Sequence, residues 1–338
     1  MGEPAPLLQD RHPQGERPVR TMPIAALLVL LLGGSAGAAS RGTSGAQFLK
    51  LGAGARAGAM ADAFTAVADD AFALYYNPAG LARLPKAQIG GGHTSLFQGI
   101  TYQTLAFAYP FGRREGRAGV ETNSNRHAIG FGVFYLGVAD IERRSGDSTL
   151  ATGSFGAADA AYVASYSYAY DDRLSLGVSG KYISQQLDTY SGTAMAADLG
   201  ALYRLNPTSE RPVQAALSVR HIGSGAGYGG AKDPLPTTVI AGLSVEPAPK
   251  KFVLSFEAGK PRDNDLYAAF GGEARKSFGD NLGGALRFGY TSARRNGEGL
   301  NGITAGGGLS LPRASFDFAW VPFGTLGDSI RFSLLLKF

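Results

Sequence analysis

Residues 328–338 read DSIRFSLLLKF. In an extended chain successive side chains point to opposite faces, so Ile330, Phe332, Leu334, Leu336 and Phe338 share one side. Arg331, Ser333 and Lys337 take the other, and only Leu335 breaks the alternation. A period of two held this long marks a strand with one apolar and one polar face. The same pattern runs back through the chain. Phe316, Phe318 and Trp320 oppose Ser315 and Asp317, and Phe252, Leu254, Phe256 and Ala258 oppose Lys251, Ser255 and Glu257. Leu174, Leu176 and Val178 oppose Ser175, Ser179 and Lys181.

Extended to the rest, the alternation predicts strands over 87–97, 100–110, 126–138, 157–170, 173–187, 193–205 and 212–222. It predicts seven more over 237–246, 251–260, 265–277, 282–290, 301–311, 314–322 and 328–338. Their lengths suit tilted strands crossing a bilayer, and an even count permits closure of a single-chain barrel. Turn residues at Asp171-Asp172, Asn206-Pro207, Glu246-Pro247, Gly279-Asp280-Asn281 and Leu311-Pro312-Arg313 follow even-numbered strands. The longer connections 139–156, 223–236 and 291–300 follow odd-numbered ones, which places them outside when both termini face the periplasm. The connection 112–125 departs from that rule. A soluble β-sandwich or propeller is the alternative architecture. The small residues of the polar face, Gly283, Ala285, Gly289, Gly306 and Gly308, argue for closure instead, because unpaired backbone groups in lipid are costly.

Composition agrees with a barrel in lipid. Of 338 residues, 49 are Gly, 19 Phe, 15 Tyr and one Trp, while only 17% are charged, against about 25% in ordinary soluble domains. Beyond the first part of the chain no apolar run is long enough for a spanning helix. The apolar stretch from Ile24 to Leu32, with Arg17 and Arg20 before it and Ala36-Gly37-Ala38 after it, reads as a secretory signal cut after Ala38. Either Met1 or Met22 can be the start. The net charge of +5 is scattered and excludes nucleic acid as a partner. Without cysteine an exported chain depends on a large core or closed hydrogen bonding.

Residues 39–86 lack the alternation. They are rich in small residues, and Pro78 forces Asn77 toward an extended conformation. Short helices are expected near 58–66 and 70–75. Having no periodic apolar face, the segment is not a domain by itself and is expected to pack inside something larger.

The run GAQFLKLGAGARAGAMADAFTAVADDAFALYYNPAGLARL at 45–84 resembles the N-terminal signature of the PorV/PorQ proteins, which belong with the FadL-type outer-membrane barrels. The matching features are Gly52 to Gly58, Asp69-Asp70 and Asn77-Pro78-Ala79-Gly80-Leu81. The resemblance implies an all-β fold: a 14-stranded antiparallel transmembrane β-barrel over 87–338, with 39–86 folded into the lumen as a hatch. It implies a bacterial outer-membrane location and a non-enzymatic role in protein secretion or surface assembly, with exported cargo proteins as partners. The alternative implied by FadL relatives is a passive channel for long-chain or other hydrophobic compounds. Outer-membrane lipid and the barrel-assembly machinery are the further partners, and Phe338 is the expected assembly signal.

Within the hatch motif, Arg56, Asp69, Asp70, Asn77, Pro78, Ala79 and Gly80 are the candidate site residues. Asp69 and Asp70 are expected to cap a helix, since carboxylates suit its free N–H groups, and Arg56 is the expected ion-pair partner in the lumen. Gly52, Gly54 and Ala57 satisfy a relaxed dinucleotide pattern, but no β-run follows them, so no cofactor is expected. His93, His127 and His221 stand on separate strands without metal-ligand spacing, and no nucleophile motif occurs. The inner face is expected to carry Lys181, Asp198, Arg204, Arg220, Glu257, Glu273, Arg275, Arg287, Asp317 and Arg331 as luminal ion pairs. Tyr162, Tyr166, Tyr168, Tyr170, Tyr290 and Trp320 suit interfacial girdles.

Overall fold

A computed structural model describes residues 42–113, 125–147, 149–228, 232–294 and 300–338. The signal segment, its cut site and most of the irregular connection 112–125 lie outside the described residues. The strands are β1 (Gln88–Ser95), β2 (Thr101–Arg113), β3 (Asn125–Arg143), β4 (Gly153–Ala169) and β5 (Leu174–Leu187). β6 (Tyr190–Arg204), β7 (Val213–Gly223), β8 (Thr238–Ala248), β9 (Phe252–Pro261) and β10 (Tyr267–Ser277) follow. β11 (Gly283–Thr291), β12 (Ile303–Ser310), β13 (Ala314–Pro322) and β14 (Asp328–Lys337) complete the set. Each pairs antiparallel with its sequence neighbours, and β1 pairs with β14, so the sheet closes as a barrel. Closure satisfies the ladder groups that an open sheet would expose to lipid.

The alternation of each strand decides which side chain meets lipid and which meets the lumen. On β14, Phe332 and Leu334 are exposed on the outer surface while Arg331 and Ser333 are buried inside. Phe256 on β9 and Phe288 on β11 repeat this, and Tyr162, Tyr166, Tyr170 and Tyr290 also point outward. The apolar belt belongs to a barrel in the bacterial outer membrane. No described helix is long and apolar enough to cross a membrane.

The largest departures from the expected strand bounds are at the end of β3 and the start of β4. β3 and β4 run on to Arg143 and back from Gly153, so much of the expected loop 139–156 is strand. Pairing continues from Ile141↔Phe155 to Arg143↔Gly153 past a register shift at Val138/Ile141. A bulge of this kind interrupts the period of two without ending the ladder.

Residues 42–86 fill the lumen. They begin beside the outer turn after β9, where the Gly42 N–H donates to the Asp263 carbonyl (3.3 Å). They descend to the inner end, where Gln88 opens β1 and the Phe338 N–H donates to the Ala87 carbonyl (3.1 Å). Their helices are shorter than expected and displaced from 58–66 and 70–75. They are α1 (Ala55–Ala59) and α2 (Ala73–Tyr76), with 3-10 turns at Gln47–Lys50 and Pro78–Arg83. Ala61, Asp62 and Ala68 have positive φ of 55°, 60° and 33°, conformations that end a right-handed helix. The wall, not helix propensity, dictates this path: Phe64, Leu74, Tyr76 and Leu81 are all fully buried within the barrel.

Candidate functional site

The luminal segment is held at three places. At the outer end Lys50 Nζ lies 2.7 Å from the Asp263 carboxylate, and Gln47 Nε2 donates to the same group at 2.9 Å. Burial alone would raise the Asp263 carboxyl, but the hydrogen bonds from Lys50 and Gln47 outweigh it and hold the group at about 2. Gly45 adds a backbone bond to Pro234 in the connection after β7 (3.0 Å).

On the β5–β6 side, near the inner ends of those strands, the motif Asn77-Pro78-Ala79-Gly80 fits a notch in the wall. Gly177 of β5 and Gly200 of β6 are cross-strand partners, and both lack the atom that would close the space. A Cβ at Gly177 would run into the Pro78 and Ala79 backbone, and one at Gly200 into Asn77 Oδ1. Asn77 is fully buried and its amide makes three hydrogen bonds. Its Nδ2 donates to the carbonyls of Thr65 and Ala201, each at 3.1 Å, and its Oδ1 accepts from the Ala79 N–H at 3.2 Å. Extended Asn77 (φ −160°, ψ 101°) followed by Pro78 starts the 3-10 turn, as the steric rule for residues before proline requires. Gly80 packs so closely on the Ala68 carbonyl that no side chain fits there.

At the inner end Arg56 joins segment to wall. Its guanidinium donates to Asp69 (2.5 Å) and Asp70 (3.2 Å) of the segment and, through Nε, to Glu273 of β10 (2.9 Å). Arg287 extends the network to Glu273 (2.5 Å) and Asp317 (2.8 Å), and Arg275 also pairs with Glu273. The carboxylate pair therefore does not cap a helix jointly. Asp69 serves Arg56, while Asp70 Oδ1 accepts from the Phe72 N–H (2.9 Å) just ahead of α2, whose first turn has no side-chain cap. Lower in the segment Arg83 donates to the carbonyls of Arg173 (2.7 Å) and Leu202 (3.0 Å).

Two cavities flank the segment. The outer one, about 310 Å³, is bounded by the segment at Leu49–Gly52 and Tyr75–Tyr76 and by the tops of β7 to β11. Its volume is at the small end of ligand pockets. Its lining mixes leucines and aromatic rings with Arg220, Glu257, Arg294 and Arg331. Arg331 pairs with Asp62 (3.1 Å), whereas Arg220 lies over the rings of Tyr75 (5.4 Å) and Tyr76 (6.0 Å), its buried Nε without a hydrogen-bond partner among the described residues. The inner cavity, about 480 Å³, is lined by the Arg56 network. Beside the outer cavity Lys181 and Asp198 form a buried pair (2.5 Å), and Asp198 also accepts from the backbone N–H of His221, which has φ 60° at the β6–β7 register shift. Among the described residues no group of His, Cys, Asp and Glu has metal-binding geometry.

The structure thus gathers Asn77, Pro78, Ala79 and Gly80 at the notch and Arg56, Asp69 and Asp70 at the inner network. Phe338 stands apart, beside Ala87 at the inner rim. Sequence reading missed Asp62, Tyr75, Tyr76, Lys50 and Asp263. The Tyr75 and Tyr76 hydroxyls accept from the N–H groups of Gly52 (3.0 Å) and Ala53 (2.9 Å), and the doubled tyrosine was the one local signal available. Nothing local marks Lys50 and Asp263, which lie 213 positions apart.

A sequence-family profile, UPF0164, described as an uncharacterised protein family, matches residues 35–198. No curated protein matches the sequence. Among solved structures, the CymD monoaromatic hydrocarbon channel is similar at 15% identity and a TM-score of 0.56, over 85% of this chain and 98% of that one. The Ralstonia pickettii toluene transporter TbuX is similar at 15% identity and a TM-score of 0.52, over 85% and 98%. The Pseudomonas putida toluene transporter TodX is similar at 12% identity and a TM-score of 0.54, over 84% and 97%. By fold, the chain is a closed 14-stranded antiparallel outer-membrane β-barrel, the architecture it shares with these channels.

Proposed function

We propose that the protein is a passive, non-enzymatic channel for compact hydrophobic molecules and that residues 42–86 are the hatch such molecules must pass. The observation that carries this reading is the placement of the segment between two cavities of different character. The outer one is partly apolar and sized for a small ligand, while the inner one is lined by ion pairs. A packed protein core does not require a cavity on each side of a buried segment, whereas a gated pore does. The fold likeness to channels named for toluene and monoaromatic hydrocarbons supports the same reading. Within it Arg220 and its tyrosines would face the bound molecule, and the notch residues would hold the closed state. The role in secretion or surface assembly rests on the motif resemblance, and no feature of the described surface favours it over transport.

The test is uptake of a compact hydrophobe, naphthalene, by cells carrying Asn77→Ala or Pro78→Ala. Both variants are expected to assemble in normal amount and to change the uptake rate. Uptake indifferent to both contradicts the hatch and the channel together.

A further inference from the structure

The inner ends of β2, β3 and β4 carry an aromatic stack on the lipid-facing surface. Phe111, His127 and Tyr168 form one row across these strands, with Phe111↔His127 and His127↔Tyr168 as directly opposed pairs. All three take outward positions of the alternation, so their rings meet. Tyr109 stacks on Phe111 (6.3 Å, 19°), Phe111 stacks on His127 (5.5 Å, 21°), and His127 lies against Tyr168 (5.2 Å). Rings of Tyr and Trp alone would be an interfacial girdle and nothing more. Two members of this patch are of another kind. Arg126 folds its guanidinium over the Tyr168 ring at 5.8 Å. His127 engages the Tyr166 hydroxyl through Nδ1 (2.8 Å), which leaves Nε2 without a partner among the described residues.

The backbone makes room for this arrangement. Gly112 has φ 74°, and a Cβ there would stand 2.8 Å from His127 Cδ2, so the imidazole keeps its place only beside a glycine. The cation above the rings is uncompensated. Among the described residues no carboxylate pairs with Arg126. In the neighbouring β4–β5 turn the Asp171 carboxylate is turned onto its own backbone, accepting from the N–H groups of Arg173 (2.7 Å) and Leu174 (2.6 Å). Depth follows from the same strands. β4 ends one residue beyond Tyr168, and the exposed Asp171 and Asp172 come directly after. In the other direction the exposed Phe131 and Leu105 continue the apolar belt. The patch therefore lies where acyl chains give way to headgroups in the inner leaflet of the membrane.

We infer that this patch is a binding site for an anionic phospholipid of the inner leaflet, of the phosphatidylglycerol class, with Arg126 and His127 Nε2 on its phosphate and its acyl chains along Phe131 and Leu105. Two phosphate oxygens match the planar fork of a guanidinium, and the ring beneath Arg126 fixes the plane of that fork. A zwitterionic lipid gains less, because among the described residues the patch offers no carboxylate to an ammonium headgroup. A soluble anion also gains less: the rings cover acyl chain while the cation holds phosphate, and only a lipid brings both. The site is on the lipid side of the wall, so it stands apart from the channel reading.

The test uses the whole barrel with its luminal segment, purified in mild detergent and stripped of lipid. Phosphatidylglycerol and phosphatidylethanolamine of equal chain length are titrated in and followed by native mass spectrometry. The wild type is expected to take up one phosphatidylglycerol several-fold more tightly than phosphatidylethanolamine. Equal affinities overturn the inference. A photoreactive phosphatidylglycerol should cross-link to residues 105–113, 126–131 and 166–170 of the wild type, and labels spread evenly around the barrel overturn it independently of any variant. Arg126→Ala is expected to abolish the preference. Arg211→Ala, the same loss of charge in the β6–β7 turn at the same end of the barrel, is expected to keep it, both variants being checked for the heat-modifiable folded band. A preference lost equally in both would mean general attraction between a basic rim and an anionic lipid, which overturns the site. Inorganic phosphate in large excess is expected to leave the bound lipid in place, and displacement by phosphate alone overturns the lipid assignment.

Discussion

Arg56 donates to carboxylates on both the luminal segment and the wall, which makes it the residue through which the two are most strongly coupled at the inner end. Removing one partner from a buried ion network leaves uncompensated charge, at a cost of about 3–5 kcal/mol. Arg56→Met is therefore expected to loosen the segment by an amount in that range, read as lost hydrogen-exchange protection over residues 55–76 while the strands keep theirs. Equal protection in variant and wild type would show that the network adds nothing. The outer clasp should respond to acid. Asp263 has a folded pKa below its ordinary value, so its contribution is complete above roughly pH 4 and disappears as pH falls through about 2. Exchange at Gly45 to Lys50 should thus be flat with pH through the neutral range in the wild type once intrinsic rates are removed, and faster throughout in Asp263→Asn. A wild-type loss of protection near neutral pH would contradict this assignment. The pairing of Lys50 with Asp263 was beyond sequence reading because charge type alone does not choose among 32 basic and 27 acidic residues.

At the level of elements, the strands were legible because each has two solvents. Lipid outside and a polar lumen inside impose a period of two that no other part of the chain keeps, as in β14 with Phe332 and Leu334 against Arg331 and Ser333. β3 was read too short because its register shift at Val138/Ile141 suspends that period. The luminal helices were misplaced for a related reason: a segment buried on all sides has no face to alternate, so its bends at Ala61, Asp62 and Ala68 leave no local mark. What places Asn77-Pro78 is instead a pair of glycines on β5 and β6, remote in sequence. Gly177→Val is expected to expel this turn from its notch while the barrel still closes. The assembled barrel should keep its heat-modifiable band in gel electrophoresis and show a raised single-channel conductance. A variant with wild-type conductance would mean that the notch does not hold the hatch shut.

For the whole molecule, closure through β1 and β14 makes the end of the chain structural. The Lys337 N–H donates to Arg313 and that of Phe338 to Ala87, stitching the last strand to both neighbours at the inner rim. Deleting Phe338 is expected to lower the assembled amount several-fold, measured as the folded fraction in outer membranes, and equal yields would remove the terminal aromatic from the assembly account. Closure also sets the problem that the luminal segment meets, since a barrel of this size must be filled or gated. Ala66 and the Cβ position of Gly242 lie 3.2 Å apart, near the roughly 3.8 Å that a disulfide spans. A cysteine pair there ties the segment to the wall reversibly in a chain with no other thiol. The direct measurement is naphthalene uptake by cells carrying this pair, oxidised and then reduced. The account predicts that uptake stops on oxidation and returns on reduction. Uptake that proceeds unchanged with the segment tied would contradict it.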